Sequence, residues 1–328
     1  MDRETAGKNG TRETVLEVRN LEKSFGRRRI ICGASFDVYA GEIFGFLGPN
    51  GAGKTTTIKM ILGFLFPDSG DIRIMGYDLR TDYEKAMSFV GGIVENPDMF
   101  KDFSGLDNLK MYAALHDGVT KERIDEVVRL VGLEKRIRDR VGRYSLGMKQ
   151  RLGVAQSILH RPRLLILDEP TNGLDPAGVK EFRTMLRHLA DEENVAVFVS
   201  SHMLAEMDLL CDRVCIIDKG VIKGNLTVEE LRHAGGSDTC FVYTVSDPEK
   251  AAEIMRGLGL KPSVIRNESA PPLAPSGRLI SVTMDRGRLA DVNSAIINEG
   301  VGILTVSESE RSIEDVFMAI TGGGGVIE

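Results

Sequence analysis

The feature that most limits what this 328-residue chain can become is the run Ile43-Phe44-Gly45-Phe46-Leu47. It passes directly into Gly48-Pro49-Asn50-Gly51-Ala52-Gly53-Lys54-Thr55. An apolar pentad suits a strand buried on both faces. Beyond the glycines, Ile58, Ile61, Leu62 and Leu65 recur at helical spacing, with Pro67 and Gly70 read as the end of that helix. Strand, loop and helix in direct succession fit G-x-x-x-x-G-K-[ST], a phosphate cradle. The glycines let backbone N–H groups come close to phosphate oxygens, and the helix N-terminus adds the positive end of its dipole. Lys54 is expected to reach the β- and γ-phosphates and Thr55 to offer its hydroxyl to Mg²⁺. Thr56 is grouped with them as nucleotide-binding.

A second aliphatic run, Leu164-Leu165-Ile166-Leu167, ends in Asp168-Glu169. Two carboxylates at the C-terminal end of a buried strand stand where ligands of open α/β sheets bind. Asp168 is expected to hold Mg²⁺ through water, and Glu169 to orient the water that attacks a γ-phosphate or take its proton. Such a pair can also cap a helix, but the phosphate loop upstream favours the chemical reading. Val179, Phe182, Leu186 and Leu189 mark a crossover helix with Asp175 as its cap and Pro176 in its first position. The next strand, Val195 to Val199, completes a βαβ unit.

Lys plus Arg number 42 against 48 Asp plus Glu, a net charge of −6, so a nucleic-acid partner is not expected. Four cysteines make no disulfide framework, and Cys211 and Cys215 read as small buried apolar residues. With no signal-peptide pattern, a reducing cytoplasmic setting is expected. Runs such as Met60 to Phe66 fall far short of the roughly 18 residues of a membrane span.

Residues 1–14 hold no Leu, Ile, Val or aromatic side chain and read as a solvated tail. The alternations Leu16/Val18 and Phe36/Val38 predict antiparallel strands. Residues 100–162 look helical, with Ile124, Val127, Val128 and Val131 on one face and Gly132 placed to end that helix. A hairpin is expected around Asp218-Lys219-Gly220. A boundary near residue 236 precedes a small α+β region: strands at 241–245, 279–284 and 301–306, helices at 248–258 and 289–297, and a closing helix on Ile313, Val316, Phe317 and Ile320. A Pro-rich loop surrounds Pro271, Pro272 and Pro275.

Ser145-Leu146-Gly147-Met148-Lys149-Gln150-Arg151 resembles the signature motif of ATP-binding cassette (ABC) ATPases. That family also carries an aromatic before the phosphate loop, a D-loop after the acidic strand and a switch histidine. Phe25, Gly173-Leu174-Asp175 and His202 match these, in the expected order. The resemblance implies an α/β P-loop NTPase core with an antiparallel β subdomain and a helical signature subdomain over about 100–162. The cassette would span 15–235, after a flexible tail of 1–14 and before a small α+β accessory domain at 236–328. It implies that Phe25 stacks on the adenine of ATP and that His202 contacts the γ-phosphate. Ser145 and Gly147 would serve nucleotide held by a second subunit, making a homodimer around two ATP molecules, and Asp175 of the D-loop is a further nucleotide-binding candidate. The partner implied is a membrane permease on a separate chain, with this chain cytoplasmic and peripheral on the inner face of the cell membrane.

One departure stands at Ile93-Val94-Glu95-Asn96-Pro97, where most of the family has glutamine. A carboxylate only accepts hydrogen bonds, so Glu95 is a candidate for Mg²⁺ or its water but cannot donate as an amide does. Asn96 is the neighbouring donor. This glutamate, with the signature sequence, resembles the bacitracin and lantibiotic self-protection exporters. Ser312-Ile313-Glu314-Asp315-Val316-Phe317 before Thr321-Gly322 is similar to the ending of antibiotic-type relatives. The alternatives are a soluble cassette ATPase acting on ribosomes or DNA and a slowly hydrolysing nucleotide sensor. The single cassette and the short 95–145 interval argue against the first, and Glu169 argues against the second. His116, His160, His188 and His233 match no motif and read as surface or packing residues, and Arg27-Arg28-Arg29 reads as a solvated turn, with contact to phosphate or lipid headgroups as the alternative.

Overall fold

The computed structural model describes residues 12–95, 97–233, 238–266 and 278–309. They divide into two compact units, one running to Val228 and the other starting at Glu229. In the first unit β1 (Thr14–Phe25) and β2 (Arg28–Tyr39) pair antiparallel, with Leu16 opposite Val38 and Val18 opposite Phe36, all four buried. Next come β3 (Ile43–Leu47), α1 (Lys54–Ile61), β4 (Ser69–Ile74) and β5 (Tyr77–Asp78). Strands β2-β1-β4-β5 make one four-stranded sheet.

Helix α1 is shorter than the Leu65 periodicity predicts. Gly63 adopts φ +71°, its N–H donates to Met60 O at 3.1 Å, and the Phe64 N–H donates to Lys59 O at 2.8 Å. These two bonds close a Schellman cap. Leu65 packs on the core from outside the helix.

The chain continues through α2 (Tyr83–Ser88), β6 (Val90–Ile93), α3 (Gly105–Ala113), α4 (Lys121–Leu130), α5 (Leu146–Ile158) and β7 (Leu164–Asp168). It then forms α6 (Pro176–Asp191), β8 (Ala196–Ser201), α7 (Leu204–Leu210), β9 (Arg213–Asp218), β10 (Val221–Thr227) and α8 (Val228–His233). Ile124, Val127 and Val128 are buried on α4, and Gly132 turns left-handed just beyond it, as the pattern predicts. Lys219 and Gly220, both at positive φ, make the predicted two-residue hairpin turn.

The second sheet runs β10-β9-β3-β8-β7-β6, parallel from β9 to β6. Every residue of β3 and β7 is buried, which is why their sequences lack alternation. The register sets Leu47 beside Ser201 and Asp168 beside Ser200. The C-terminal ends of β3, β8 and β7 therefore lie together, and the loops leaving them share one edge.

The second unit contains β11 (Asp238–Val245), α9 (Pro248–Gly257), β12 (Ser263–Arg266), β13 (Arg278–Asp285), α10 (Leu289–Asn298) and β14 (Ile303–Ser309). Its sheet is antiparallel in the order β12-β13-β11-β14, a split βαβ arrangement. Phe241, Tyr243, Ile280 and Val282 pack one sheet face on Met255 of α9 and Val292 and Ile296 of α10. Strand β12 was not expected from the sequence. The Ser312–Phe317 motif, the closing helix, the Pro-rich loop, Asn96 and residues 1–11 lie outside the described residues. Cys211 and Cys215 are buried with free thiols that burial pushes up, as small apolar residues should be.

Candidate active site

The glycine loop closes over the edge where β3, β8 and β7 end. Gly48 runs so near β9 that a Cβ would lie 2.2 Å from Ile217 O. Gly53 has φ +112°, and a Cβ there would meet Ile31 Cδ1 at 2.5 Å. Neither position accepts a side chain, so this wrap of the backbone requires glycine. The Lys54 ammonium, only 6% exposed, donates to Gly48 O at 2.7 Å and Pro49 O at 3.4 Å, and lies 3.2 Å from Glu169 Oε1. Ala52, within the loop, is buried.

Two carboxylates at the end of β7 are held differently. Asp168 accepts from Thr55 Oγ1 at 3.0 Å on one oxygen and from Ser200 Oγ at 2.5 Å on the other. Glu169 carries its carboxylate between two basic groups, with Oε1 facing Lys54 and Oε2 at 2.8 Å from His202 Nδ1. Its backbone is left-handed at φ +49°, a conformation costing a non-glycine residue about 1–2 kcal/mol. The bonds from its N–H to Ser200 O at 3.2 Å and to Ser200 Oγ at 3.0 Å hold it there. Strain secured by the surrounding fold is the pattern of a functional position.

A cleft of about 550 Å³ opens over these groups, lined by Phe25, Asn50, Gly51, Gly53, Lys54, Thr55, Thr56, Glu169 and His202. Arg28, Ile30 and Asn172 line it as well, and of these Ile30 and Asn172 belong to no motif in the sequence. Arg27-Arg28-Arg29 is thus more than a solvated turn: Arg28 faces the cleft while Arg29 pairs with Glu22 at 3.0 Å. Among the described residues no three His, Cys, Asp or Glu gather as a metal cluster. Thr55 and Asp168 together fit Mg²⁺, which takes few protein oxygens and fills its shell with phosphate and water.

Eight predicted residues do not line this cleft: Gly48, Pro49, Ala52 and Asp168, which belong to the loop and strand end just described, and Glu95, Ser145, Gly147 and Asp175. Glu95 is 71% exposed at φ +64°, and its carboxylate lies 3.5 Å from Lys59 Nζ. Ser145 caps α5 by accepting from Met148 N at 3.3 Å, and Asp175 caps α6 by accepting from Gly178 N at 3.0 Å. A Cβ on Gly147 would sit 3.7 Å from Leu174, so the signature and the D-loop pack on each other. His116 and His160 stack at 4.5 Å, burial pushing His160 below its usual value; both are packing residues, as expected. The side chain of His233 lies outside the described residues.

The family model for ABC transporters matches residues 31–172. The chain is 44% identical over 310 residues to YhcH of Bacillus subtilis, an uncharacterized ABC transporter ATP-binding protein, spanning 94% of this chain and 97% of that one. It is 36% identical over 314 residues to the bacitracin transport ATP-binding protein BcrA of Bacillus licheniformis, spanning 95% and 99% respectively. A solved structure of an ABC transporter ATP-binding subunit superposes with a TM-score of 0.61 at 30% identity, over 68% of this chain and 94% of that one. The phosphate loop, the Asp168-Glu169 edge and these likenesses agree: the chain belongs to the ABC transporter family as an ATP-binding subunit, and that family is one of ATPases.

Proposed function

We propose that this chain hydrolyses ATP, with Mg²⁺, to drive export of a peptide antibiotic or drug through a permease on a separate chain. The observation that carries the chemistry is Glu169 held between Lys54 and His202, beside the Thr55–Asp168 pair. In the reaction, water attacks the γ-phosphorus, the bond to the β–γ bridging oxygen breaks, and ADP and phosphate leave. Glu169 orients that water and takes its proton. Lys54 and the loop N–H groups stabilise charge on the transferring phosphoryl group. His202, tied to Glu169 through Nδ1, presents Nε2 to the γ-phosphate, and Phe25 stacks on adenine. Thr55 and Asp168 would hold Mg²⁺, which supplies charge neutralisation when bound.

Ser145, Gly147 and Asp175 stand apart from the chain's own cleft, which supports their serving nucleotide on a second copy in a homodimer. ATP would favour the closed pair and hydrolysis the open one, shifting the permease between two access states. The cassette is assigned to 15–235 and an accessory domain to 236–328. Likeness to BcrA over nearly both full lengths supports the antibiotic reading. Among the described residues no helix is long and apolar enough to cross a membrane. The proposed location is the inner membrane face, reached through the permease.

The test is affinity purification of the chain from detergent-solubilised membranes of its own cell. Stoichiometric recovery of a multi-span protein, and peptide-antibiotic hypersensitivity when the chain is deleted, are expected. Recovery with ribosomes, or with no partner, overturns the transporter reading in favour of a soluble ATPase.

A further inference from the structure

Behind the nucleotide cleft, the helix that follows the switch histidine turns a carboxylate back onto the strand ends. Glu206 lies in the first turn of α7 and is partly buried. Its Oε2 accepts from Thr171 Oγ1 at 2.6 Å and from Ser201 Oγ at 3.4 Å. Both hydroxyl residues are buried. Thr171 comes two residues after Glu169, and Ser201 immediately precedes His202. One oxygen atom is thus bonded to near neighbours of both members of the Glu169–His202 pair, which meet at 2.8 Å.

A serine hydroxyl has a single hydrogen. With that hydrogen turned to Glu206, the lone pairs of Ser201 Oγ are left to accept from Met203 N–H at 2.9 Å. Ser201 and Met203 flank His202, so the backbone is fixed on both sides of the imidazole. The Ser201 carbonyl accepts from Gly48 N–H at 3.3 Å, which ties the same residue to the start of the phosphate loop. On the other segment, Asn172 N–H donates to Glu169 O at 3.2 Å and Leu174 N–H to Thr171 O at 3.0 Å. Holding Thr171 therefore holds the turn that leaves Glu169. A bond to a carboxylate is roughly twice as strong as one between neutral groups. Glu206, Thr171 and Ser201 do not line the nucleotide cleft, so they act on the site through the residues they hold.

We propose that Glu206 is a positioning residue for hydrolysis: it clamps the segment leaving β7 to the segment leaving β8 and so sets Glu169 and His202 against each other. The inference rests on the reading that these two act on water and the γ-phosphate. Without the clamp the strands stay paired but the segments beyond them are free to shift, and a misplacement of about 1 Å costs a reaction about a hundredfold. Nucleotide binding, carried by the phosphate loop and Lys54, is left nearly untouched.

The test is steady-state ATP hydrolysis and ATP titration on the full chain, with kcat and affinity read separately. Glu206→Ala is expected to lower kcat about tenfold to a hundredfold while ATP affinity changes less than about threefold. Glu206→Gln, whose amide oxygen still accepts from both hydroxyls, recovers most of that loss. Thr171→Val removes the shorter bond and lowers kcat about tenfold, which keeps the proposal testable if Glu206→Ala does not fold. Combined with His202→Ala, the loss from Glu206→Ala is smaller than in the wild-type background, because one of the groups it positions is gone. Melting temperatures near that of the wild type show that the variants are folded. Wild-type kcat in Glu206→Ala, equal falls in kcat and ATP affinity, or a glutamine variant no better than alanine overturns the proposal. Glu169→Gln, measured alongside, keeps the two claims apart. Wild-type turnover there brings down the underlying reading, whereas lost turnover there with wild-type turnover in Glu206→Ala brings down the clamp alone.

Discussion

Glu169 and Glu95 follow neighbouring parallel strands of one sheet, and both adopt left-handed backbone, at φ +49° and +64°. Their surroundings differ in almost every other respect. Glu169 is 23% exposed and bound on both oxygens, by Lys54 and His202, while Ser200 holds its backbone. Glu95 is 71% exposed and meets Lys59 at 3.5 Å. An exposed ion pair of that kind is worth little. A carboxylate at a strand end becomes chemically organised only when segments leaving other strands of the sheet aim basic groups at it, as those after β3 and β8 do for Glu169 after β7.

Four substitutions test how deep that difference runs. Lys54→Ala removes the cation that serves both phosphate and Glu169. ATP affinity should fall about tenfold to a hundredfold, as for a lost charge-assisted contact, and turnover should vanish; nucleotide titration and phosphate release measure both. His202→Ala leaves Glu169 with one partner. Turnover is expected to drop about tenfold to a hundredfold while ATP affinity changes far less, so an equal loss in both would break the assignment of His202 to the γ-phosphate.

Glu95→Gln should alter the turnover of the isolated chain by less than about threefold, because the carboxylate it replaces is exposed and outside the cleft lining. A larger loss would erase the contrast with Glu169. The smallest effect is at Glu42, at the opposite end of β3, where burial outweighs Arg213 and raises the carboxyl above its usual value. Stability from the protonated form is present below the ordinary glutamate value and is lost as pH rises through the raised one. Glu42→Gln keeps an acceptor for the Tyr39 N–H at that site, so its melting temperature should gain on the wild type as pH rises. A gain on acidification instead would reverse the sign.

The sequence disclosed what depends on local pattern. β3 and β7 are legible because burial on both faces leaves them wholly apolar, and Asp175-Pro176 announces α6 because cap and first-turn chemistry are local. β6 was hidden by its two glycines, Gly91 and Gly92, and β12 by its four-residue length. The end of α1 was misplaced because Gly63, not Pro67, supplies the left-handed residue that closes it. In the site, the motif residues stood out, whereas Ser200 did not. A serine inside an apolar strand carries no signal until the register sets it opposite Asp168. Ile30 and Asn172 reach the cleft through tertiary placement that neither spacing nor composition reveals, while the Arg27-Arg28-Arg29 run could not say which arginine would face it.

The central claim, that Glu169 is the group that sets water against the γ-phosphate, is tested most directly by Glu169→Gln, with ATP binding and steady-state hydrolysis measured on the same preparation. Glutamine keeps the size and one acceptor oxygen but cannot take a proton. The account predicts wild-type ATP affinity with turnover lowered at least about a hundredfold, as for loss of a general base. Wild-type turnover in this variant would contradict it.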